Sequence, residues 1–554
     1  MQVNRFVSKS TSFFPLALVI YLATGLFLLQ YYQYQLNGDG ISYISIARKY
    51  LNGHFSDAIN GYWGPLLSWL LIPFLSLKLP PVFAVKLMLL LVGLPTLIGI
   101  RSLSQRFDMS NAMRTILLFS LIPILLRFAL LGITPDSIML CVLVYYLAII
   151  FDTNYNESKN KGAVCGTLGA LAYLTKGYGF PFFLCHFLVF NVLHYVRSET
   201  TKVRKTVLMN FLFGLGVFLT ISGSWIFLMS NKYGNITISK AGSYNFALMG
   251  PKTGGLHGHP MFHRLLEPPN NTAISAWEDP SYIKLEAWNP VQSVDAFRYF
   301  TKLVKSNLGT ASARQNPHGG RGLLWVLNSF SVLSIPILLT SLVICLPFKR
   351  MKLPTEIWYS LVTLTIYISG YIFVFVVERY IWIACILVIL MGFCLFNYII
   401  VKTSFSNTTK RLIFITFLTF FVASVWITPI KTLANGAYVG KNDDELSRKL
   451  QKYNIRDNIA ANWRYRKTLI LSFHNNYTYY GVTGPITDEK LETELRQYEI
   501  DYYFLWQPPD KLRIDKYDEY MHGVSFLSKY KEIVRLDNLT VYSLKELQYS
   551  INYM

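Results

Sequence analysis

Charge is scarce in this chain. Of 554 residues, 15% are Asp, Glu, Lys or Arg, where soluble domains carry about a quarter. Acidic residues are fewer still, 31 against 52 Lys and Arg, for a formal net charge of +21. A chain with so little charge is not an ordinary soluble domain. Cysteine is sparse as well. The six cysteines, Cys141, Cys165, Cys185, Cys345, Cys385 and Cys394, all lie in apolar stretches. Their spacing matches no metal site and no disulfide framework. There is no internal repeat, which argues against the paired halves common in secondary transporters. There is no low-complexity segment. No small-residue cleavage site follows the basic and then apolar start (Arg5, Lys9, then Phe13 to Leu29). That start therefore reads as a first membrane span and not as a signal peptide.

Apolar residues fill the space that charge leaves. They make up 52% of the chain and are bunched into long runs, and runs of about 20 apolar residues are membrane helices. Spans are expected at roughly 13–31, 82–100, 113–132, 137–151, 162–175, 179–195, 207–229, 323–346, 357–377, 380–401 and 412–429, about eleven in all. A net charge of +21 in a soluble protein would suggest nucleic acid. Here the basic residues sit in short loops between spans, so retention of positive loops inside explains them and no nucleic-acid partner is expected. With the N-terminus cytoplasmic, the inner segments hold seventeen Lys and Arg, among them Arg5, Lys9, Lys159, Lys349, Arg350 and Lys352. The short outer segments hold five, Arg48, Lys49, Lys78, Lys176 and Arg379. An odd number of spans then puts the C-terminus outside.

Two domains are expected. Residues 1–430 form a transmembrane module with outer loops at about 32–80 and 230–322. Residues 431–554 form a small extracytoplasmic α/β domain, because strand-like runs (TLILSF, DYYFLW, TVYSL) alternate there with helix-like ones (DDELSRKLQKY, DEKLETELRQY).

On this topology, four separate connections carry ionisable residues at the outer membrane edge: Asp39, Asp136, Lys176, and the pair Glu378 and Arg379. Charges at such positions are costly and are functional by default. Each has a plainer explanation taken singly. Asp39 suits a helix N-cap, Asp136 a helix start, Lys176 a snorkelling side chain, and Glu378 with Arg379 a structural ion pair. Their common side is what points to a site. Arg127 and Lys86 lie near the outer ends of their spans and could snorkel or reach the same place. After Asp39, alternating Ile41, Ile44, Ile46 and Leu51 with Ser42, Ser45, Arg48 and Lys49 suggest an amphipathic interfacial helix. In the second outer loop, GLHGHPMFH brings His257, His259 and His263 near Glu267. These are ligand types for a divalent metal, at a spacing that matches no standard site.

The ordered set of segments GDGISYISIARKYLNG, TPDS, LTKGYGFPFF and ERYIW resembles the GT-C superfamily of polyprenyl-phosphate-sugar-dependent glycosyltransferases. It is most similar to protein O-mannosyltransferases and lipid A aminoarabinose transferases, over about residues 1–430. The resemblance implies transfer of a sugar from a polyprenyl-phosphate carrier to an extracytoplasmic glycan, lipid or protein acceptor. Catalysis would fall to Asp39 as general base and to Asp136. The donor phosphate would bind Lys176, Arg379 and Arg127, and substrate would contact Tyr43, Trp63, Glu378 and Tyr380. Asp39 is followed by Gly40 where protein mannosyltransferases have an Asp-Glu pair, which leaves the acceptor class open. A membrane transporter or flippase is the alternative from another class. Sequon-like triplets at Asn235, Asn270, Asn476 and Asn538 occur by chance and do not decide the compartment. With no evident disulfides and compact loops, a bacterial inner membrane is the expected location.

Overall fold

The computed structural model describes residues 13–158, 160–310, 312, 320–345, 354–484, 486–507 and 524–547. The basic residues Arg5, Lys9, Lys159, Lys349, Arg350 and Lys352 lie outside the described residues, as do parts of 431–554. Helices dominate. The first group is α1 (Phe14–Tyr32), α2 (Gly38–Leu51), α3 (Phe55–Ala58), α4 (Leu66–Ser76), α5 (Pro81–Ser104) and α6 (Asn111–Leu130). Then come α7 (Asp136–Ile150), α8 (Asn160–Thr175), α9 (Gly179–Arg197), α10 (Thr201–Tyr233), α11 (Ala241–Leu248) and α12 (Val294–Leu308). The last membrane-level helices are α13 (Leu323–Phe330), α14 (Ser334–Cys345), α15 (Thr355–Ile372), α16 (Trp382–Lys402) and α17 (Asn407–Gly436). Among the described residues, seven helices are long and apolar enough to cross a bilayer. The chain is an integral membrane protein.

Small residues and buried polar groups hold the bundle together, as expected where lipid removes the hydrophobic drive between helices. On α8, Gly162 and Gly166 are one turn apart and press on α10. A Cβ at Gly162 would lie 2.0 Å from the Asn210 carbonyl oxygen. The Asn210 side chain closes the same contact, accepting from the Gly162 N–H at 3.1 Å and donating to the carbonyls of Tyr155 and Ser158.

Three expectations are corrected. The span expected at 323–346 is two helices meeting at 112°. Ser331 is extended there and its hydroxyl accepts from the Leu333 N–H, while Pro336 sits in the first turn of α14, where no intrahelical N–H is needed. The span expected at 357–377 stops at Ile372, because Asn307 donates to the Ile372 and Val374 carbonyls and satisfies the helix end. Finally, α2 is not a surface helix. Gly40 through Ala47 and Lys49 are buried, because α4, α19 (Tyr465–Asn475, below) and a turn around Trp277 cover it.

After α17, α18 (Lys441–Leu450), α19 (Tyr465–Asn475) and α20 (Asp488–Gln497) flank a five-stranded sheet. Its strands are β1 (Asn458–Ala461), β2 (Thr478–Val482), β3 (Tyr502–Trp506), β4 (Tyr530–Leu536) and β5 (Leu539–Leu547), in the order β2-β1-β3-β5-β4. The β1 pairs are parallel and the β5 pairs antiparallel. Trp506 anchors this unit. It is fully buried, its backbone is bracketed by the Asn462 side chain, and its indole N–H donates to Thr468. The free edge of β2 is covered by the 265–275 segment, through Leu266 N–H to the Tyr480 carbonyl and Tyr479 N–H to the Ile274 carbonyl, both 2.7 Å. This pairing fastens the sheet over α2 and shields an edge that would otherwise attract another strand.

Candidate active site

Asn37 joins the two acidic connections. Its side chain accepts from the Ile133 N–H at 3.1 Å and donates to the Ile133 carbonyl at 3.3 Å. The turn before Asp136 is thereby locked to the start of α2. Gly40 permits the approach, since a Cβ there would lie 2.7 Å from Ile133 Cβ. This close packing is the physical reason for glycine after Asp39. Asp39 and Asp136 both occupy first turns, of α2 and α7, where the helix dipole favours a carboxylate.

Asp39 does not cap its own helix. Its Oδ1 accepts from the Trp277 indole N–H at 3.3 Å, and its Oδ2 pairs with Arg379 at 2.6 Å. The Asp136 side chain is 4% exposed, and its Oδ1 pairs with Lys176 at 2.7 Å. Asp136 Oδ2 and Arg379 Nε face each other at 3.4 Å without hydrogen-bond geometry, and neither has another partner among the described residues. The Lys176 ammonium lies 3.3 Å from the centre of the Tyr380 ring, and the Tyr380 carbonyl is held by the Tyr367 hydroxyl. Next to Arg379, Glu378 pairs with both Arg127 and Arg321. Four cations therefore face three carboxylates, leaving one net positive charge. Asp136, Arg379 and Tyr380 share a closely packed gap with the apolar side chains of Met139, Leu140, Leu143 and Ile383.

Sequence reasoning missed Trp277 and Arg321. Each lies in the long second loop, whose composition does not reveal which side chains fold back. Trp277 is mounted firmly. Its carbonyl accepts from Ser42 (3.0 Å) and from the Trp63 indole (3.2 Å). The adjacent Glu278 pairs with buried Lys49 and accepts from Ser45 at 2.6 Å. Asn60 donates to the Glu278 carbonyl at 2.7 Å.

Two readings change. Tyr43 and Trp63 are 2% and 8% exposed; they pack on each other, and Trp63 packs on Trp277. They support the base of the site and present no open face for a sugar. The phenol of Tyr43 is raised by burial and then by the nearby Asp39 and Asp136 carboxylates. His257, His259 and His263 do not converge on a metal. Both ring nitrogens of His259 are used, one by the Tyr244 hydroxyl (2.6 Å) and one by the Met261 N–H. His263 turns to the His257 carbonyl. Among the described residues no group of three or more His, Cys, Asp and Glu could hold a metal ion.

No family model and no curated protein sequence matches the chain. Solved structures do. ArnT from Cupriavidus metallidurans bound to undecaprenyl phosphate aligns over 95% of this chain and 97% of its own, with 13% identity and a TM-score of 0.51. Its apo form aligns over the same shares at 15% identity and a TM-score of 0.48. The Archaeoglobus fulgidus oligosaccharyltransferase, tethered to an acceptor peptide, aligns over 89% of this chain and 69% of its own, at 12% identity and 0.49. The alignment to undecaprenyl-phosphate-bound ArnT covers both the helical bundle and the sheet unit, so the chain shares the fold of that structure, a helical membrane bundle with an appended α/β unit.

Proposed function

We propose that the chain is a glycosyltransferase that moves a sugar from a polyprenyl-phosphate carrier to a glycan, lipid or protein acceptor. The observation that carries this reading is the meeting of Asp39, Asp136, Lys176 and Arg379, from four separate connections, next to the apolar side chains of Met139, Leu140, Leu143 and Ile383. A sugar phosphodiester on a long isoprenoid likewise joins a charged group to an apolar chain. Its single negative charge matches the single net positive charge of the cluster. The likeness to ArnT bound to undecaprenyl phosphate supports the same ligand class.

The acceptor hydroxyl attacks the anomeric carbon, and its proton passes to the Asp39 carboxylate. The bond from that carbon to the phosphate oxygen breaks, and polyprenyl phosphate leaves with the electron pair. A general base within hydrogen-bond reach contributes 10²–10⁴-fold in rate, on the order of the effects measured elsewhere. Fixed cations at the leaving phosphate stabilise the charge that develops. Lys176 and Arg379 fill that role, and Arg127, bound to Glu378, backs it from one residue away. At rest Arg379 holds both carboxylates. An arriving phosphate competes for the guanidinium and frees Asp39 to accept a proton. Asp136 keeps Lys176 and Arg379 in place, and Tyr380 carries Lys176 on its ring. Tyr43 and Trp63 act through Trp277 as positioning residues. The excess of Lys and Arg in the opposite loops supports a site outside the cytoplasm, and the absence of evident disulfides with compact loops supports a bacterial inner membrane.

The test is transfer of radiolabelled sugar from a panel of polyprenyl-phosphate donors to membrane extract by the purified protein. Labelled product from one donor, with release of polyprenyl phosphate, is the expected result. Absence of transfer from every donor, in protein that still binds polyprenyl phosphate, would overturn the reading.

A further inference from the structure

Helix α12 presents three different faces. Ala296, Leu303 and Asn307 are buried against the bundle. Roughly a quarter to a half turn round the helix from that face, Val294, Phe297 and Leu308 are 68%, 54% and 41% exposed. Along the border of that apolar strip run Arg298, Lys302 and Lys305, also exposed, against the single acid Asp295. Three apolar side chains facing outward beside three cations is costly in water. It suits a helix lying in a membrane interface, with the apolar strip among acyl chains and the cations on headgroups.

Position supports the same conclusion. Phe300 of α12 stacks on Phe373, which follows directly on α15 and is half exposed, so α12 lies against the outer surface at the end of α15. The other end of α12 meets the start of α13: the Trp325 N–H reaches the Gly309 carbonyl, beside Arg321. We infer that α12 is a docking surface for anionic lipid headgroups. Because α12 ends beside Arg321, and Arg321 pairs with Glu378, this seating also puts the charged cluster at headgroup depth. The inference needs only the membrane and stands whether or not the chain transfers sugars.

The experiment uses the full chain with Phe297→Cys, in a Cys185→Ser background because Cys185 is the exposed cysteine among the described residues. An environment-sensitive fluorophore is attached at position 297, and the unsubstituted background is labelled in parallel to subtract other thiols. The protein is reconstituted in vesicles of phosphatidylethanolamine with or without phosphatidylglycerol. Quenching by a lipid-borne nitroxide, with little quenching by iodide, is expected. Quenching by iodide alone places the face in water and overturns the inference. Shielding from both quenchers means that protein covers the face, and overturns it too. Nitroxide on phosphatidylglycerol should quench more strongly than nitroxide on the zwitterionic lipid. Lys302→Glu with Lys305→Glu should abolish that preference, since each basic residue near an anionic surface is worth about fivefold in local lipid occupancy. A preference unchanged by the two reversals would refute the headgroup assignment.

Discussion

Asp39→Asn exchanges one oxygen for an amide nitrogen, yet its surroundings make the change more than isosteric. Asp39 accepts from the Trp277 indole on one oxygen and from Arg379 on the other. Whichever way the new amide turns, its NH₂ group meets a donor. The lost charge-assisted bond is worth about 1.5–3 kcal/mol. The lower end applies, because the Arg379 and Asp39 side chains are 31% and 17% exposed and water can replace part of the contact. Loss of the base should cost far more in rate. A fall of about 10²–10⁴-fold corresponds to roughly 2.7–5.4 kcal/mol in the barrier. The two effects separate in the double variant Asp39→Asn, Trp277→Phe. There the amide oxygen can turn to Arg379 while its NH₂ faces a ring edge, so about 1 kcal/mol of stability should return with no recovery of rate. Transfer rates and thermal unfolding midpoints in the same detergent give both quantities. If Asp39→Asn retains a rate within about threefold of the parent, or if the double variant recovers rate along with stability, Asp39 is not the base.

Other outcomes follow from the same contacts. Trp277→Phe alone removes the N–H from Asp39 and should lower kcat by about tenfold, equivalent to ~1.4 kcal/mol, with an unfolding midpoint lowered by the lost hydrogen bond of about 1 kcal/mol. Gly40→Ala drives a Cβ into Ile133 and should cost about 1–3 kcal/mol as an overpacked contact, measured as a lower midpoint together with lost transfer. Burial, with smaller contributions from His263 and Arg264, pushes the His259 imidazole down to about 4. The unfolded chain therefore binds a proton that the folded one refuses. Stability is intact above the unfolded value near 6.5 and falls as pH drops from there toward 4, by about 3 kcal/mol. His259→Gln should flatten that part of the stability profile, and an unchanged slope would refute the assignment.

Much of the architecture was legible in the chain because lipid imposes a simple rule: apolar runs must be helices, and their length reports a crossing. The expected starts near Asp136 and Gly179 agree with α7 and α9. The strand-like runs DYYFLW and TVYSL lie in β3 and β5, whereas TLILSF is not a strand but part of α19, its apolar residues packing as one buried helix face. The four charged connections were visible for the same reason, since charge stands out against apolar sequence.

Other features needed the tertiary structure. Nothing local says that Asn37 clasps Ile133, or that Arg379 spans both Asp39 and Asp136, residues 340 and 243 positions away in sequence. The broken span at 331–333 looked continuous because hydropathy is blind to the direction in which two apolar helices leave a bend. Trp63 and the loop histidines misled because side-chain chemistry does not reveal whether a polar atom is already satisfied. His259 has the atoms of a ligand, but Tyr244 and Met261 use both nitrogens. Sequence by itself determined a membrane bundle with an appended α/β unit and a set of charges at helix ends, because the bilayer reads composition one segment at a time. Only the folded chain decided which charges meet, since ion pairs and hydrogen bonds act over a few ångströms and depend on how distant segments pack.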